Sequence, residues 1–488
     1  MICVSVTPTS RTLAKVDLFN AAGQGDIVEL CIDKLIKEPD FNDLFSTIEK
    51  PILISCRKKE HGGQWEGTDE ERFALLRQAI VAGPDYVELD AETAAKVPRF
   101  GKTKRVISFI RLDRPEYEID QLYEEAVELQ ADIVKFAWPT RTLDEAWPLL
   151  ASVSQKRAVP IVGQGFGRPE LSFSLLGRKY GSPWIYAALE QGMETHQGQA
   201  SVFELKNKYA IERIERSTKF VAVAGFDEAA TATTRILNSG FKQIDQPIVC
   251  LPMEIQKMER LGQMFEILKI KMLLGNAEIG SRLGSMIEHA SPVEKDLGYF
   301  DLAIRQPDGW HGFNLLGRCL PQTISQEIAP RYGSDGTVKN RSILIIGANG
   351  PAVTCAHALT QLGGQISMCD LDDKHAKKVC EQRSFRHIPF QGIYSTHFDI
   401  LVLANAKIPM GTGRGQVNPS LYRPHMTLLD ISQMPIEHPL TTEARERAVH
   451  VCDATELYLA QLRQQFHSLT GQPLPEEAFA EGLKDDYS

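Results

Sequence analysis

The chain has no apolar run approaching the roughly 18 residues that a bilayer-spanning helix needs, so no membrane association is expected. It has no excess of positive charge: 54 Lys and Arg stand against 63 Asp and Glu, a formal net charge of -9. A nucleic-acid binder would carry a basic face, so no nucleic-acid partner is expected. The nine cysteines include no Cys-x-x-Cys pair, which removes the common zinc and dithiol spacings, and no metal is expected. Several of them (Cys3, Cys56, Cys250, Cys369) sit in apolar strand-like runs, as reduced buried thiols do. The opening residues MICVSVTPTS lack a basic stretch followed by an apolar one. They read as a strand rather than a signal peptide, and the expected location is cytoplasmic. No motif recurs along the chain, so no repeat architecture is expected.

What is present is an ordinary globular composition, 43% hydrophobic and 24% charged, in 488 residues. That length exceeds one hydrophobic core and predicts about two to three domains. Up to Tyr209 short apolar runs (MICVSVT, DIVELCID, PILISC, DYVELD, RVISFI, DIVKFA, VPIVG) alternate with stretches of helical periodicity such as ERFALLRQAIVAG. Strands this apolar, separated by helices, predict a parallel sheet covered by helices. The seven visible strands fit a (β/α)8 barrel with one strand unseen. An open doubly wound sheet fits the same pattern.

A charged helical stretch, SVFELKNKYAIERIERSTK, then leads to a new apolar strand, FVAVAG. Further on, SILIIG runs into Gly347, Asn349, Gly350 and Ala352, followed by an Ala- and Leu-rich helix and the strand ISMCDLDD. Glycines let the backbone turn and approach a pyrophosphate, and the helix N-terminus offers N–H groups and a positive dipole end. Asp370, at the end of the second strand, stands where an acidic side chain could bond ribose hydroxyls. These signals predict a Rossmann dinucleotide-binding domain.

The pieces DIVELCID, ISCRKKEHGG, ADIVKFA, LLGRKYGSPWIYAAL and THQGQ resemble type I 3-dehydroquinate dehydratase over nearly the whole N-terminal half. The pieces VAVAGF, DGWHGFNLLG, IIGANGPA, ILVLANAKIPMG and LYLAQLRQQFHSLTGQPLPEE are similar to shikimate dehydrogenase. The resemblance implies an α/β protein: an N-terminal TIM barrel over 1–214, then a two-lobed module. Its substrate-binding lobe would span 215–335, completed by C-terminal helices within 453–488, with the Rossmann domain at 336–452. The implied substrates are small molecules of the shikimate pathway, the implied cofactor is NAD or NADP, and a homodimer is an open expectation.

Residue by residue, the resemblance makes Lys135 the Schiff-base lysine, with Glu29, Arg57, Thr195 and Gln199 at substrate-contacting positions. The family's general acid–base histidine falls on Ile110, one of its arginines on Cys31 and another on Ser174. His61 is a candidate replacement base, since an imidazole titrates near neutral pH. In the second half Thr231, Thr233, Asn314 and Gln461 fall on substrate-contacting positions. The family's catalytic lysine falls on Arg282 and its aspartate on Leu316. Arginine is a poor proton shuttle and leucine none, so the dehydrogenase half is expected to be inactive, with Lys271 the first lysine to suspect otherwise. Asp370 and Asp372 stand where a 2′-phosphate would lie, which favours NAD over NADP. Three functions therefore remain open: a working shikimate-pathway enzyme, a pseudoenzyme that binds or regulates, and a Schiff-base enzyme using Lys135 for other chemistry.

Overall fold

The computed structural model describes residues 1–35, 39–116, 118–333 and 335–483. The chain forms two compact units, Met1–Lys219 with Pro247–Lys257, and Phe220–Gln246 with Met258–Ser488.

In the first unit the strands are β1 (Ile2–Val6), β2 (Ile27–Cys31), β3 (Ile52–Ser55), β4 (Tyr86–Asp90), β5 (Lys104–Ile110), β6 (Ile133–Pro139), β7 (Ile161–Phe166) and β8 (Ile185–Ala188). They form one sheet in the order β7-β6-β5-β4-β3-β2-β1-β8. Because β8 returns to pair in parallel with β1, the sheet curls into a nearly closed (β/α)8 barrel. The strand that pattern alone does not reveal is β8, only four residues long. Most of the helices between strands start on side-chain caps. Thr68, for example, forms a capping box with Glu71 ahead of the helix Asp69–Val81, which buries Phe73, Leu76, Ala79 and Ile80. Such a cap contributes about 1 kcal/mol.

The pleat sorts the barrel interior into layers. Cys3, Ile27, Leu53, Val106, Ile133, Val162 and Tyr186 pack as one cluster against Trp184. Two residues further along each strand, on the same side of the pleat, stand Ser5, Glu29, Ser55, Ser108, Lys135 and Gln164, and Glu88 holds the matching place on β4. All seven are buried. An apolar floor therefore carries a polar layer nearer the C-terminal strand ends, where barrels of this kind do their chemistry.

In the second unit β9 (Lys219–Ala224) precedes β10 (Ile248–Met253), whose segment groups with the first unit. β9 pairs in parallel with β11 (Met272–Leu274). β11 pairs antiparallel with β12 (Leu302–Gln306), which turns into β13 (Gly309–Phe313). A second sheet holds β14 (Ser342–Ile346), β15 (Gln365–Cys369), β16 (Arg386–His387), β17 (Ile400–Leu403), β18 (Thr427–Asp430) and β19 (His450–Cys452). Its order, β16-β15-β14-β17-β18-β19, reverses between β14 and β17, which is the Rossmann topology and its ligand crevice. The C-terminal helices Ala454–Thr470 and Glu476–Gly482 return to the first lobe, where Phe466 stacks on Phe241 at 5.2 Å. The last five residues of the expected C-terminal segment lie outside the described residues.

All nine cysteines are free and buried. Among the described residues no helix is long and apolar enough to cross a membrane.

Candidate functional site

The polar layer of the barrel closes into one ionic cluster. Arg57, just past β3, bonds Glu29 through Nη2 and Glu88 through both Nε (2.8 Å) and Nη2 (2.6 Å). Lys135 Nζ donates to Glu88 Oε2 at 3.0 Å and sits 4.1 Å from the centroid of the Tyr186 ring. Ser5 Oγ donates to the other oxygen of Glu29 at 2.5 Å. Lys135 and Glu88 are 1% and 2% exposed. Burial alone would raise the Glu88 carboxyl, but Arg57 and Lys135 overcome it and hold that carboxyl well below its usual range. Burial likewise opposes the Arg57 charge, and Glu29 and Glu88 more than offset it, so the guanidinium stays charged.

Above this cluster lies a cavity of about 310 Å³, lined among others by Arg57, His61, Ile110, Lys135, Arg141, Gln164, Thr195 and His196. Lys135, Arg57, Thr195 and His61 are thus brought together in one cavity wall. Burial lowers the His61 imidazole from its ordinary value. Gln199 reaches Thr195, accepting from its backbone N–H at 2.9 Å. Ile110 does line the cavity, so the wall there carries no proton-transfer group. Cys31 lies beside Arg57, 3.9 Å from its Nη1. Phe173 and Ser174 are buried in the helix Glu170–Tyr180 and do not line this cavity.

Four residues here escape the sequence argument. Glu88 is one, although Val87-Glu88-Leu89 repeats the Val28-Glu29-Leu30 of β2. Tyr186, Arg141 and His196 are the others, the last bonded through Nε2 to Glu170 Oε2 at 2.5 Å.

The second unit holds a larger cavity of about 950 Å³ between its two lobes. Thr233, Asn276, Arg282, Leu316, Tyr458 and Gln461 line it from the first lobe, and Asn349, Pro351, His375, Asn405, Lys407 and Gln433 from the Rossmann lobe. Thr233 Oγ1 and the Tyr458 hydroxyl bond each other at 2.8 Å. Gln461 Nε2 donates to the buried Asp301 at 2.9 Å. Burial raises the Asp301 carboxyl to about 6, against the opposing N–H bonds from Leu316, Leu315 and Gln461.

Several expected residues are engaged elsewhere. Thr231 is not a cavity residue, and its hydroxyl donates back to the Asp227 carbonyl. Asn314 is buried as a helix cap, accepting from Gly317 N–H and donating to Thr354 Oγ1. Lys271 is exposed and lies outside the cavity, whereas Lys407 lines it.

In the Gly347–Ala352 loop, Gly347 adopts φ +134° and Asn349 caps the following helix by accepting from Ala352 N–H. Gly350 lies so close to Tyr299 that a Cβ would meet its ring at 2.4 Å. The Asp370 carboxylate turns inward, accepting from Ala348 N–H at 2.7 Å and from Asn405 Nδ2. Asp372 caps the next helix through His375 N–H.

Among the described residues the metal-type donors that gather are His289, Asp308 and His311, with ligand atoms within 4.8 Å of one another. None of them lines either cavity.

Residues 2–216 match the type I 3-dehydroquinase family. The 3-dehydroquinate dehydratase of Methanococcus maripaludis is 31% identical over 216 residues, 42% of this chain and 97% of that protein. The bifunctional 3-dehydroquinate dehydratase/shikimate dehydrogenase of Arabidopsis thaliana, a chloroplastic protein, is 22% identical over 504 residues, 98% of this chain and 83% of the plant protein. A shikimate dehydrogenase (NADP(+)) of Anaeromyxobacter dehalogenans is 24% identical over 278 residues, 55% of this chain and 96% of its own length. With the lysine-bearing barrel on one side and the Rossmann module on the other, the chain belongs to the type I 3-dehydroquinase family and carries it fused to a shikimate dehydrogenase-like module.

Proposed function

We infer that the barrel forms an imine between Lys135 and the ketone of a 3-dehydroquinate-like acid and dehydrates it there. The observation that carries this reading is a primary amine, 1% exposed, standing in the wall of a polar cavity with its counter-ion fixed. An amine must be neutral to attack a carbonyl. The protonated imine that follows carries the same single charge as the ammonium, so Glu88 serves as counter-ion throughout and the cluster need not reorganise. A ligand carboxylate would meet the guanidinium groups of Arg57 and Arg141, both in the cavity wall.

Borohydride reduction in the presence of 3-dehydroquinate, followed by peptide mass spectrometry, tests this. The expected adduct is on Lys135 and is absent from Lys135→Ala. An adduct on another lysine, unaffected by Lys135→Ala, rejects the reading.

For the second unit a different reading is favoured: a pocket that binds a small polyhydroxylated acid, without efficient hydride transfer. Arg282 and Leu316 supply its walls where a lysine and an aspartate would manage the proton. Nicotinamide nucleotide is the cofactor its Rossmann lobe suits, NAD ahead of NADP because Asp370 and Asp372 carry negative charge where a 2′-phosphate would lie. Nine free buried thiols fit a reducing compartment such as the cytoplasm.

A further inference from the structure

The barrel cavity lacks a proton-transfer group at Ile110, yet imine chemistry at Lys135 needs one. Thr195 and His196, in the same cavity wall, supply a candidate. Glu170, the first residue of its helix and 3% exposed, places Oε2 at 2.5 Å from His196 Nε2. A ring nitrogen facing a buried carboxylate carries the proton, which leaves Nδ1 as the acceptor. That Nδ1 lies 3.2 Å from Thr195 Oγ1.

Thr195 has two acceptors within reach, His196 Nδ1 and Gln199 Oε1. Gln199 Oε1 accepts from the Thr195 backbone N–H at 2.9 Å and from its hydroxyl at 3.1 Å, and the imidazole Nδ1 lies within the same reach, so the hydroxyl proton can pass to the imidazole by a small rotation. The remaining group of Gln199, its Nε2, is buried with no partner among the described residues, although the residue is 4% exposed. The Phe166 ring, edge-to-face with His196 at 4.9 Å between ring centres, helps fix the imidazole. His61 also lines the cavity, but among the described residues no hydrogen bond orients its ring.

Carboxylate, imidazole and hydroxyl in series are the arrangement that makes a hydroxyl basic. We propose that Glu170, His196 and Thr195 form a proton relay that replaces the missing group at Ile110, with Thr195 Oγ1 the atom that meets the substrate and His196 and Glu170 the residues that position and charge it.

The inference rests on the Lys135 imine. With that imine formed, Thr195 Oγ1 takes the proton from the carbon beside the imine carbon as its own proton passes to His196 Nδ1. The freed C–H electron pair becomes the enamine double bond. Reversal of the relay delivers one proton to the hydroxyl on the next carbon, which leaves with its bonding pair as water. Nothing is oxidised or reduced, and hydrolysis of the imine returns the amine.

The test uses the full-length protein with 3-dehydroquinate. It follows the near-ultraviolet absorbance of the conjugated enone product and, in parallel, borohydride trapping on Lys135. His196→Gln, Glu170→Gln and Thr195→Val are expected to lower kcat by about 10²-fold or more with KM little changed. Thr195→Ser, which restores the hydroxyl, is expected to recover most of that loss. The adduct on Lys135 should form in every variant, which also reports that the barrel is folded.

If His196→Gln turns over at the parental rate, the relay is wrong. It is also wrong if the parent traps substrate but does not turn over, or if the variants lose adduct and turnover together. A parent that forms no adduct at all removes the Lys135 imine itself, and the relay falls with it.

Discussion

Glu88 accepts from the buried Lys135 and the largely buried Arg57, and is the residue whose loss the barrel should feel most. Glu88→Gln leaves Lys135 without its ion-pair partner and Arg57 with Glu29 alone, which costs about 3–5 kcal/mol. The pH dependence follows from the sign of its shift. The folded carboxyl is held below its ordinary value of 4.5, so the unfolded chain takes up this proton first as pH falls. The cluster's support is therefore full above that value and drains away below it. Urea unfolding of parent and Glu88→Gln should show the largest gap near neutral pH and a narrowing gap toward acid. A gap that stays constant into acid would contradict the coupling.

Lys135 and Arg57 are legible in the sequence because short motifs surround them. Glu88 is legible only by counting the pleat, as its place matches Glu29 on β2. The partnership of His196 with Glu170 spans 26 residues and exists only once β7 and the loop after β8 are brought together. No local spacing announces it.

The loop between β14 and its helix shows what an element adds to its residues. Strand, glycine turn, helix and second strand are legible in order, because each has its own local signature. The fate of the backbone donors is not legible, since it depends on side chains arriving from elsewhere. Ala348 N–H goes to Asp370, Ala352 N–H goes to Asn349, and Pro351 has no N–H to offer. A pyrophosphate arriving here must compete with existing caps for donors that such loops otherwise present.

We expect fluorescence titration to give weak binding of NADH and weaker binding of NADPH; tighter NADPH would reverse the placement of Asp370 and Asp372. Gly350→Ala is expected to destabilise by about 1–3 kcal/mol, the range for overpacking. The reason is the Tyr299 ring at 2.4 Å from the new methyl. Calorimetry of the variant, read against the parent, measures it.

At the scale of the whole chain the two cavities have kept different things. The barrel cavity presents Lys135 paired with Glu88, whereas the second cavity presents Arg282 and Leu316. Shikimate oxidation with NAD or NADP should therefore fall about 10²–10⁴-fold short of an ordinary dehydrogenase. Steady-state assays of the purified protein measure this. Turnover near the roughly 10 s⁻¹ median would mean that another group moves the proton, and Lys407 in the cavity wall is then the residue to replace.

The burial of every thiol has a practical consequence for such experiments. Cys3, Cys31, Cys56 and Cys250 belong to the first unit, and Cys319, Cys355, Cys369, Cys380 and Cys452 to the second. None should react with a membrane-impermeant alkylating reagent until its own surroundings open. Pulsed alkylation read peptide by peptide would thus time the opening of each unit separately within one intact chain. The same nine positions would register whether occupying one cavity slows the opening of the other unit.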